Sequence, residues 1–483
     1  MPSPSLDLLA ESHKPDGSRP ATHKTASLHQ TPRTDSFFTN VQWSSDGTTL
    51  FTTSSENRLC TYVLPEDLLE PKDEPIELTP HGTLVLPGPL GPVAPSPYWS
   101  VAESYTQLVL TSSREHPIHL YYPFQSLSSS SQSHQRPLAS YFLIDPLTEA
   151  YTPVTSLLWP GSSGGNHFIA GSNSLISLFD ITRPGESAYT HSEPTGIIPT
   201  YQKSSKRTRV GLHGAISALA LQNPSSSYGI SGAGLVAAGT RTRGLGLYDL
   251  NRAGECTASW KLSASQDGNG VMQVLWSPCG RYLVVNERST TSLLVYDIRE
   301  THSLLARLTG RRGGKTKQRL NCDVYAGSGG GFEVWSGTGD GGVVVWENVG
   351  LSSGDDIEPS WERKGLHEPR SGEPVSAVSA AAMHLAGSVV ATCSGSWKFV
   401  DDDDSDSESE SDDDEDSSSK KSDSDSNADL DEKTDADSSH NHDGDETESQ
   451  VSGSAPSVVT RPPKPKPKRG LVTGETSLKI WSI

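Results

Sequence analysis

The residues best suited to chemistry in this chain lie in one short run, Arg311-Arg312-Gly313-Gly314-Lys315-Thr316-Lys317-Gln318-Arg319. Five of its nine side chains are cations. Arginine and lysine neutralise phosphate oxygens, and glycine lets a backbone approach a ligand closely. The chemistry indicated is phosphate recognition on a nucleic acid. Two smaller groups add to it. Lys203, Lys206, Arg207 and Arg209 stand upstream, and Arg241 with Arg243 sits in a turn before Leu245. The plain alternative is an ordinary solvated charged loop. The candidate RNA-binding residues are Arg311, Arg312, Lys315, Lys317, Arg319, Arg241, Arg243, Lys206 and Arg207.

Other chemistries fit less well. A P-loop needs a glycine five residues before Gly314, where Thr309 stands, and a helix after it; residues 320–335 alternate toward strands instead. A calcium loop with Gly444 in sixth place would put Ser439 first and Gln450 twelfth, where carboxylates are needed. Glu115, His116 and His119 suggest acid–base work, but no nucleophile accompanies them, and beside a strand they read as structural hydrogen-bonders. The five cysteines, Cys60, Cys256, Cys279, Cys322 and Cys393, are scattered, odd in number and form no Cys-x-x-Cys pair. They read as buried, reduced thiols rather than a disulfide frame or zinc site, which suits cytosol or nucleus. The expectation is a protein that is not an enzyme, with no cofactor, no metal and no small-molecule substrate.

The elements that must position these residues come from a repeat. A short β-branched or leucine-rich run ending on an aromatic occurs seven times, at Tyr62, Tyr121, Phe179, Tyr248, Tyr296, Trp346 and Trp481. The clearest copy is Gly341-Gly342-Val343-Val344-Val345-Trp346. An acidic residue follows the aromatic at Asp180, Asp249, Asp297 and Glu347. This is the worn Trp-Asp ending of a WD repeat, the third strand of a propeller blade. The fold class expected is all-β, a seven-bladed propeller. His213 stands where such repeats place a structural histidine.

Four segments follow. Residues 1–36, rich in Ser, Thr, Pro and His, read as a disordered arm. Residues 37–400 hold the blades. Residues 401–470 form an acidic and then Pro/Lys-rich disordered insert, and residues 471–483 return to close the last blade. Residues 401–450 alone carry 23 acidic and 3 basic side chains, so they account for the whole formal charge of −20. The remainder is neutral, and the acidity says nothing of the propeller surface. Ser405, Ser407, Ser409 and Ser411 sit among carboxylates that acid-directed kinases favour. Lys464, Lys466, Lys468 and Arg469 read as a nuclear import signal or a plain Pro-Lys linker. No run of about 18 apolar residues exists to span a membrane, and residues 1–9 lack the features of a secretory signal.

One phrase is more specific than a general WD repeat. Ser112-Ser113-Arg114-Glu115-His116-Pro117-Ile118-His119 resembles the Ser-Ser-Arg-Glu-Asn-Pro-Ile-His signature of the telomerase Cajal body protein family. Trp43-Ser44-Ser45-Asp46-Gly47, Thr182-Arg183-Pro184-Gly185, Leu245-Gly246-Leu247-Tyr248 and Gln318-Arg319 are similar to that family in the same order. Arg114, Glu115, Pro117 and His119 are the family-motif residues. The resemblance implies a seven-bladed scaffold that holds small nuclear RNA and its ribonucleoprotein partners, contacts other proteins through its rims, and works in the nucleus, in telomerase, small nuclear ribonucleoprotein or splicing assemblies. The acidic insert departs from the animal members. The alternative function is a protein-only WD adaptor in a ubiquitin ligase or chromatin complex.

Overall fold

In the computed structural model the described residues build seven blade sheets, antiparallel but for a short parallel strand added at the edge of two of them, and two further two-stranded sheets. The structure describes residues 4–13, 36–124, 135–184, 193–203, 209–224, 226–227, 234–263, 267–314, 316, 318–327, 329–351, 356–368, 375–400 and 470–483. Among them there is no α-helix, and three short 3-10 turns are the only helical elements.

Blades one to six each have four core strands in chain order. Blade one is Phe38–Trp43, Thr49–Ser54, Arg58–Val63 and Gly82–Val85. Blade two is Leu90–Pro95, Val109–Ser113, Ile118–Tyr121 and Ala139–Tyr141. Blade three is Ser156–Leu158, His167–Ser172, Leu175–Asp180 and Gly196–Pro199. Blade four is Ile216–Leu221, Leu235–Thr240, Gly244–Asp249 and Glu255–Lys261. Blade five is Val271–Trp276, Tyr282–Glu287, Leu293–Asp297 and Leu304–Leu308. Blade six is Cys322–Ala326, Phe332–Gly337, Val343–Val349 and Trp361–Arg363. Blade seven takes Val378–Met383, Val389–Ser394 and Leu478–Ser482 from the C-terminal side. Its outer strand is Asp7–Ser12, from the other end of the chain.

That outer strand corrects the reading of residues 1–36 as wholly disordered. Asp7–Ser12 pairs antiparallel with Leu478–Ser482, Ala10 facing Ile480. Leu6 and Ala10 are buried against blades six, seven and one. The physical reason is the edge: without this strand, the third strand of blade seven would expose a row of unpaired N–H and C=O groups. The remainder of the arm, residues 14–35, lies outside the described residues, as do residues 401–469.

Strand alternation explains why the blades stack. Along Leu235–Thr240, Val236 and Ala238 turn toward blade three, while Leu235 and Ala237 turn toward blade five. The same alternation repeats around the ring and gives one apolar cluster at each of the seven blade interfaces. The repeat aromatics occupy one cluster each, and all seven are buried. Full burial of an aliphatic or aromatic side chain contributes about 1.5–3 kcal/mol, so these positions carry much of the interface energy. Close approach between blades also demands glycine in places: a Cβ on Gly239 would meet Val271 Cγ1 at 2.4 Å, and one on Gly337 would meet the Val378 carbonyl oxygen at 2.1 Å.

Polar side chains stitch the inner strands together. Ser156 Oγ donates to the Ile216 carbonyl (2.7 Å), Gln273 Nε2 to the Cys322 carbonyl (2.7 Å) and Ser379 Oγ to the Phe38 carbonyl (3.2 Å). The acidic residue after the aromatic closes the next turn: Asp180 accepts from Thr182 and Asp249 from the Asn251 backbone, while Asp297 holds Arg281 and Arg299. Cys60, Cys322 and Cys393 are buried thiols as expected, whereas Cys256 is exposed. His213 is not the structural histidine; it is exposed and packs its ring on Tyr201. That part is taken by His367, buried in blade seven between Ser477 Oγ (2.7 Å) and Thr392 Oγ1 (2.8 Å).

Candidate nucleic-acid interface

Chain direction decides which loops share a face. In an antiparallel blade, the turn from second to third strand and the connection to the next blade lie at the same end. This end, here called upper, carries nearly every candidate residue. Its turns are alike: Asn57, Glu115, Ser174, Arg243, Ser289 and Gly341 each hold the left-handed backbone conformation that a tight reversal needs, φ 55–84°. The family-motif residues Arg114, Glu115 and Pro117 form the turn of blade two, with an exposed Arg114–Glu115 ion pair at 3.5 Å. His119 follows in the third strand, its Nδ1 2.9 Å from Ser140 Oγ. Burial, and then the neighbouring His116, lowers the His119 imidazole to about 4, which keeps it neutral.

The inner strands enclose an axial channel of about 950 Å³. Its lower part is lined by Trp43, Leu157, Leu219 and Leu275, and its upper mouth by Arg241, Gln318 and Arg319. Arg241 and Arg319 are exposed to the solvent of this mouth, and Arg288 is half-buried beside them. Arg319 is wetted yet surrounded by protein. Burial, then repulsion from Arg288 and Arg241, brings it down to about 10. Burial and then Arg241 lower Arg288 as well. Among the described residues no carboxylate pairs with Arg241, Arg288 or Arg319. Glu287, next in sequence to Arg288, is spent elsewhere: Arg243 Nε and Nη2 donate to its two oxygens at 2.8 and 3.1 Å. Burial nonetheless raises the Glu287 carboxyl, outweighing Arg243.

The structure therefore divides the predicted cations. Arg241 and Arg319 meet at the channel mouth. Arg243 is held by Glu287. Arg312 lies on the surface, paired to Glu362 at 2.8 Å. Arg311 is not a surface contact at all: it is 3% exposed, donating from Nη2 to the Thr290 carbonyl (2.8 Å) and from Nη1 to Asn286 Oδ1 (3.2 Å) and the Leu320 carbonyl (3.4 Å). A buried guanidinium needs such acceptors, and they fix it as a clamp between blade five and the connection into blade six. Burial lowers Arg311 to about 10. Lys315, Lys317, Lys206 and Arg207 lie outside the described residues.

Arg288 escaped the sequence reading because it stands alone in Glu287-Arg288-Ser289-Thr290, far from any basic run. Aligning the repeats would have found it. Arg114, Arg241 and Arg288 are each the first residue after the second strand of their blade.

Compared with curated proteins, the chain aligns over 330 residues, 68% of its length, with a mouse protein at 28% identity. That relative is telomerase Cajal body protein 1. The aligned part is 54% of the mouse protein, so the chain spans about half the length of this relative. The fission yeast guanine nucleotide-binding protein negative regulator 1 is 26% identical over 322 residues, 65% of this chain and 71% of that protein. Protein SWT21 of Vanderwaltozyma polyspora is 27% identical over 275 residues, 56% of this chain and 58% of that one. No protein-family model matches the chain. The similarity to telomerase Cajal body protein 1 agrees with the motif in blade two and with the seven-bladed ring, and a WD-repeat scaffold is the role such a relationship supports.

Proposed function

We propose that this protein is a non-enzymatic WD-repeat scaffold that binds small nuclear RNA or its ribonucleoprotein and supports assembly or localisation of the particle in the nucleus. The observation that carries the reading is the group of arginines at the upper mouth of the channel, none paired to a carboxylate among the described residues, on the face that also bears the Arg114-Glu115-His116-Pro117 turn. Three cations without carboxylates favour a polyanion. The name of the mouse relative points to a telomerase and Cajal body setting, and the import-like Lys464, Lys466, Lys468 and Arg469 cluster agrees with a nuclear one.

The test is an anisotropy titration of structured and single-stranded RNA at two salt concentrations. Affinity is expected to fall steeply with salt. Arg241→Gln and Arg319→Gln together are expected to flatten the log–log salt slope by about two units, one for each phosphate no longer neutralised. A double variant with unchanged affinity and slope would move the RNA site elsewhere.

A second reading is favoured by one finding. The fission yeast relative is named as a negative regulator of a guanine nucleotide-binding protein, a protein partner. A protein-only adaptor would use the same rims and yield no RNA on crosslinking and sequencing.

A further inference from the structure

We infer that Arg241, Arg288 and Arg319 form a single site for a compact multivalent phosphate, a terminal phosphate group or a short polyphosphate, at the upper mouth of the axial channel. The inference rests on the RNA reading only for the source of that phosphate: an RNA end and a free polyphosphate present the same chemistry.

The geometry brings three separate segments to one place. Arg241 and Arg288 hold equivalent positions in blades four and five, and Gly270 lies between their backbones. The Arg288 N–H donates to the Gly270 carbonyl at 3.0 Å. A Cβ on Gly270 would stand 2.5 Å from the Arg241 carbonyl oxygen, so only glycine allows this approach. Arg319 arrives on the connection into blade six. Its neighbour Gln318 is anchored by Nε2 to Ser379 Oγ at 2.9 Å and to the Gly395 carbonyl. Its other neighbour, Leu320, accepts from Asn286 Nδ2 at 2.7 Å, two residues before Arg288.

Arg311 locks the arrangement from beneath. It bonds Asn286 and Thr290, which flank Arg288, and also Leu320, beside Arg319. The bases of two of the three arginines are thus tied to one buried guanidinium.

Charge then selects the ligand. Two carboxylates near the mouth are committed elsewhere: Glu287 to Arg243, and Asp323 to the backbone N–H groups of Val324 and Met383. A backbone phosphodiester brings one negative charge to a point. A terminal phosphate brings about −1.5 to −2 near neutral pH, and a triphosphate more. Three guanidiniums held together, with no carboxylate paired to them among the described residues, match the latter, and a planar fork donates to two oxygens at once. The channel behind the mouth, about 950 Å³, leaves room for the group to enter.

The experiment uses the full chain, with sodium tripolyphosphate by calorimetry and one RNA sequence carrying either a triphosphate or a hydroxyl at its 5′ end by anisotropy. Tripolyphosphate is expected to bind one per chain and raise the melting temperature. The triphosphate RNA is expected to bind at least about tenfold more tightly than the hydroxyl RNA. Arg288→Gln should abolish that preference, weakening the triphosphate RNA at least about tenfold and the hydroxyl RNA by less. Its folding is checked by a melt, and if it fails to fold, the end-group comparison on the parent decides. Tripolyphosphate bound with neither RNA bound supports the site, assigns it to free polyphosphate, and overturns the RNA reading. Equal binding of the two RNAs, with no tripolyphosphate bound, overturns the inference and leaves the RNA reading standing. Binding of none of the three overturns both.

Discussion

His367 shows what a single enclosed side chain does to the stability of this ring. Its two nitrogens face Ser477 Oγ and Thr392 Oγ1; Thr392 Oγ1 also receives Trp481 Nε1 at 2.8 Å, and Glu475 accepts from both Ser477 and Ser394. Burial, and then Lys479, holds the imidazole well below its ordinary value, so it is neutral in the fold. Unfolded, it takes a proton below about 6.5. The unfolded chain then binds more protons than the folded one, and stability is lost as pH falls through that value, by up to about 1.4 kcal/mol per pH unit. His119, at about 4, adds to the same trend. The melting temperature is therefore expected to drop between about pH 7.5 and 5.5, and His367→Gln to melt lower at the higher pH but with a shallower pH dependence. Equal slopes in parent and variant would refute this account. Arg311 makes the companion case. Arg311→Ala removes donors from three buried acceptors and is expected to cost about 3 kcal/mol, read by denaturant unfolding. Neither role could be read from the chain alone. Arg311 and Arg319 sit in one basic run, and only the blade-to-blade hydrogen bonds separate the buried clamp from the exposed contact.

At the scale of elements, a ring of sheets has one place where the chain must meet itself, and here that place is the pairing of Asp7–Ser12 with Leu478–Ser482. A second short strand, Ile76–Glu77, adds in parallel outside Asp7–Ser12. Removing residues 1–12 opens blade seven and uncovers Ile480 and Leu478, both fully buried. Repeat folds hold together by nearest-neighbour interfaces, so the loss is expected to spread to the clusters between blades six, seven and one. A fall in melting temperature of at least about 5 °C should be seen by circular dichroism, with rising aggregation from the bare edge. A truncated protein that melts with the parent would show that the closing strand is dispensable. The third strands were legible because each ends on an aromatic that fills an interface, and the pattern repeats often enough to detect. The closing strand was not, because Leu6-Asp7-Leu8-Leu9-Ala10 is a single short copy set among Ser, Thr and Pro, with its partner more than 460 residues away. The outer strand of blade two, Ala139–Tyr141, escaped for a like reason: three residues carry no period.

For the whole molecule, the question is whether the ring depends on the long acidic interruption within its last blade. The two chain ends that flank it are held by the blade itself. The Ser394 N–H donates to the Ser477 carbonyl at 2.8 Å and the Gly474 N–H to the Ser396 carbonyl at 3.4 Å, while Ser394 Oγ reaches Glu475 at 2.5 Å. Those bonds belong to the second and third strands of an ordinary blade, and a short turn would serve them as well as a long excursion. Among the described residues each of the seven blade interfaces has its own apolar cluster. Loop closure costs entropy that grows only as the logarithm of length, so cutting about seventy residues to about six lowers that cost by roughly 2 kcal/mol. Replacing 401–469 by a short Gly/Ser linker is thus expected to leave the melting temperature unchanged or a few degrees higher. The formal charge should rise by 15, because Arg461, Lys464, Lys466, Lys468 and Arg469 leave with the acidic residues and offset five of their 20 net negative charges, visible as a shift in ion-exchange elution. Loss of folded protein, or a melting temperature several degrees below the parent, would mean that the interruption supplies contacts to the ring that its composition does not suggest.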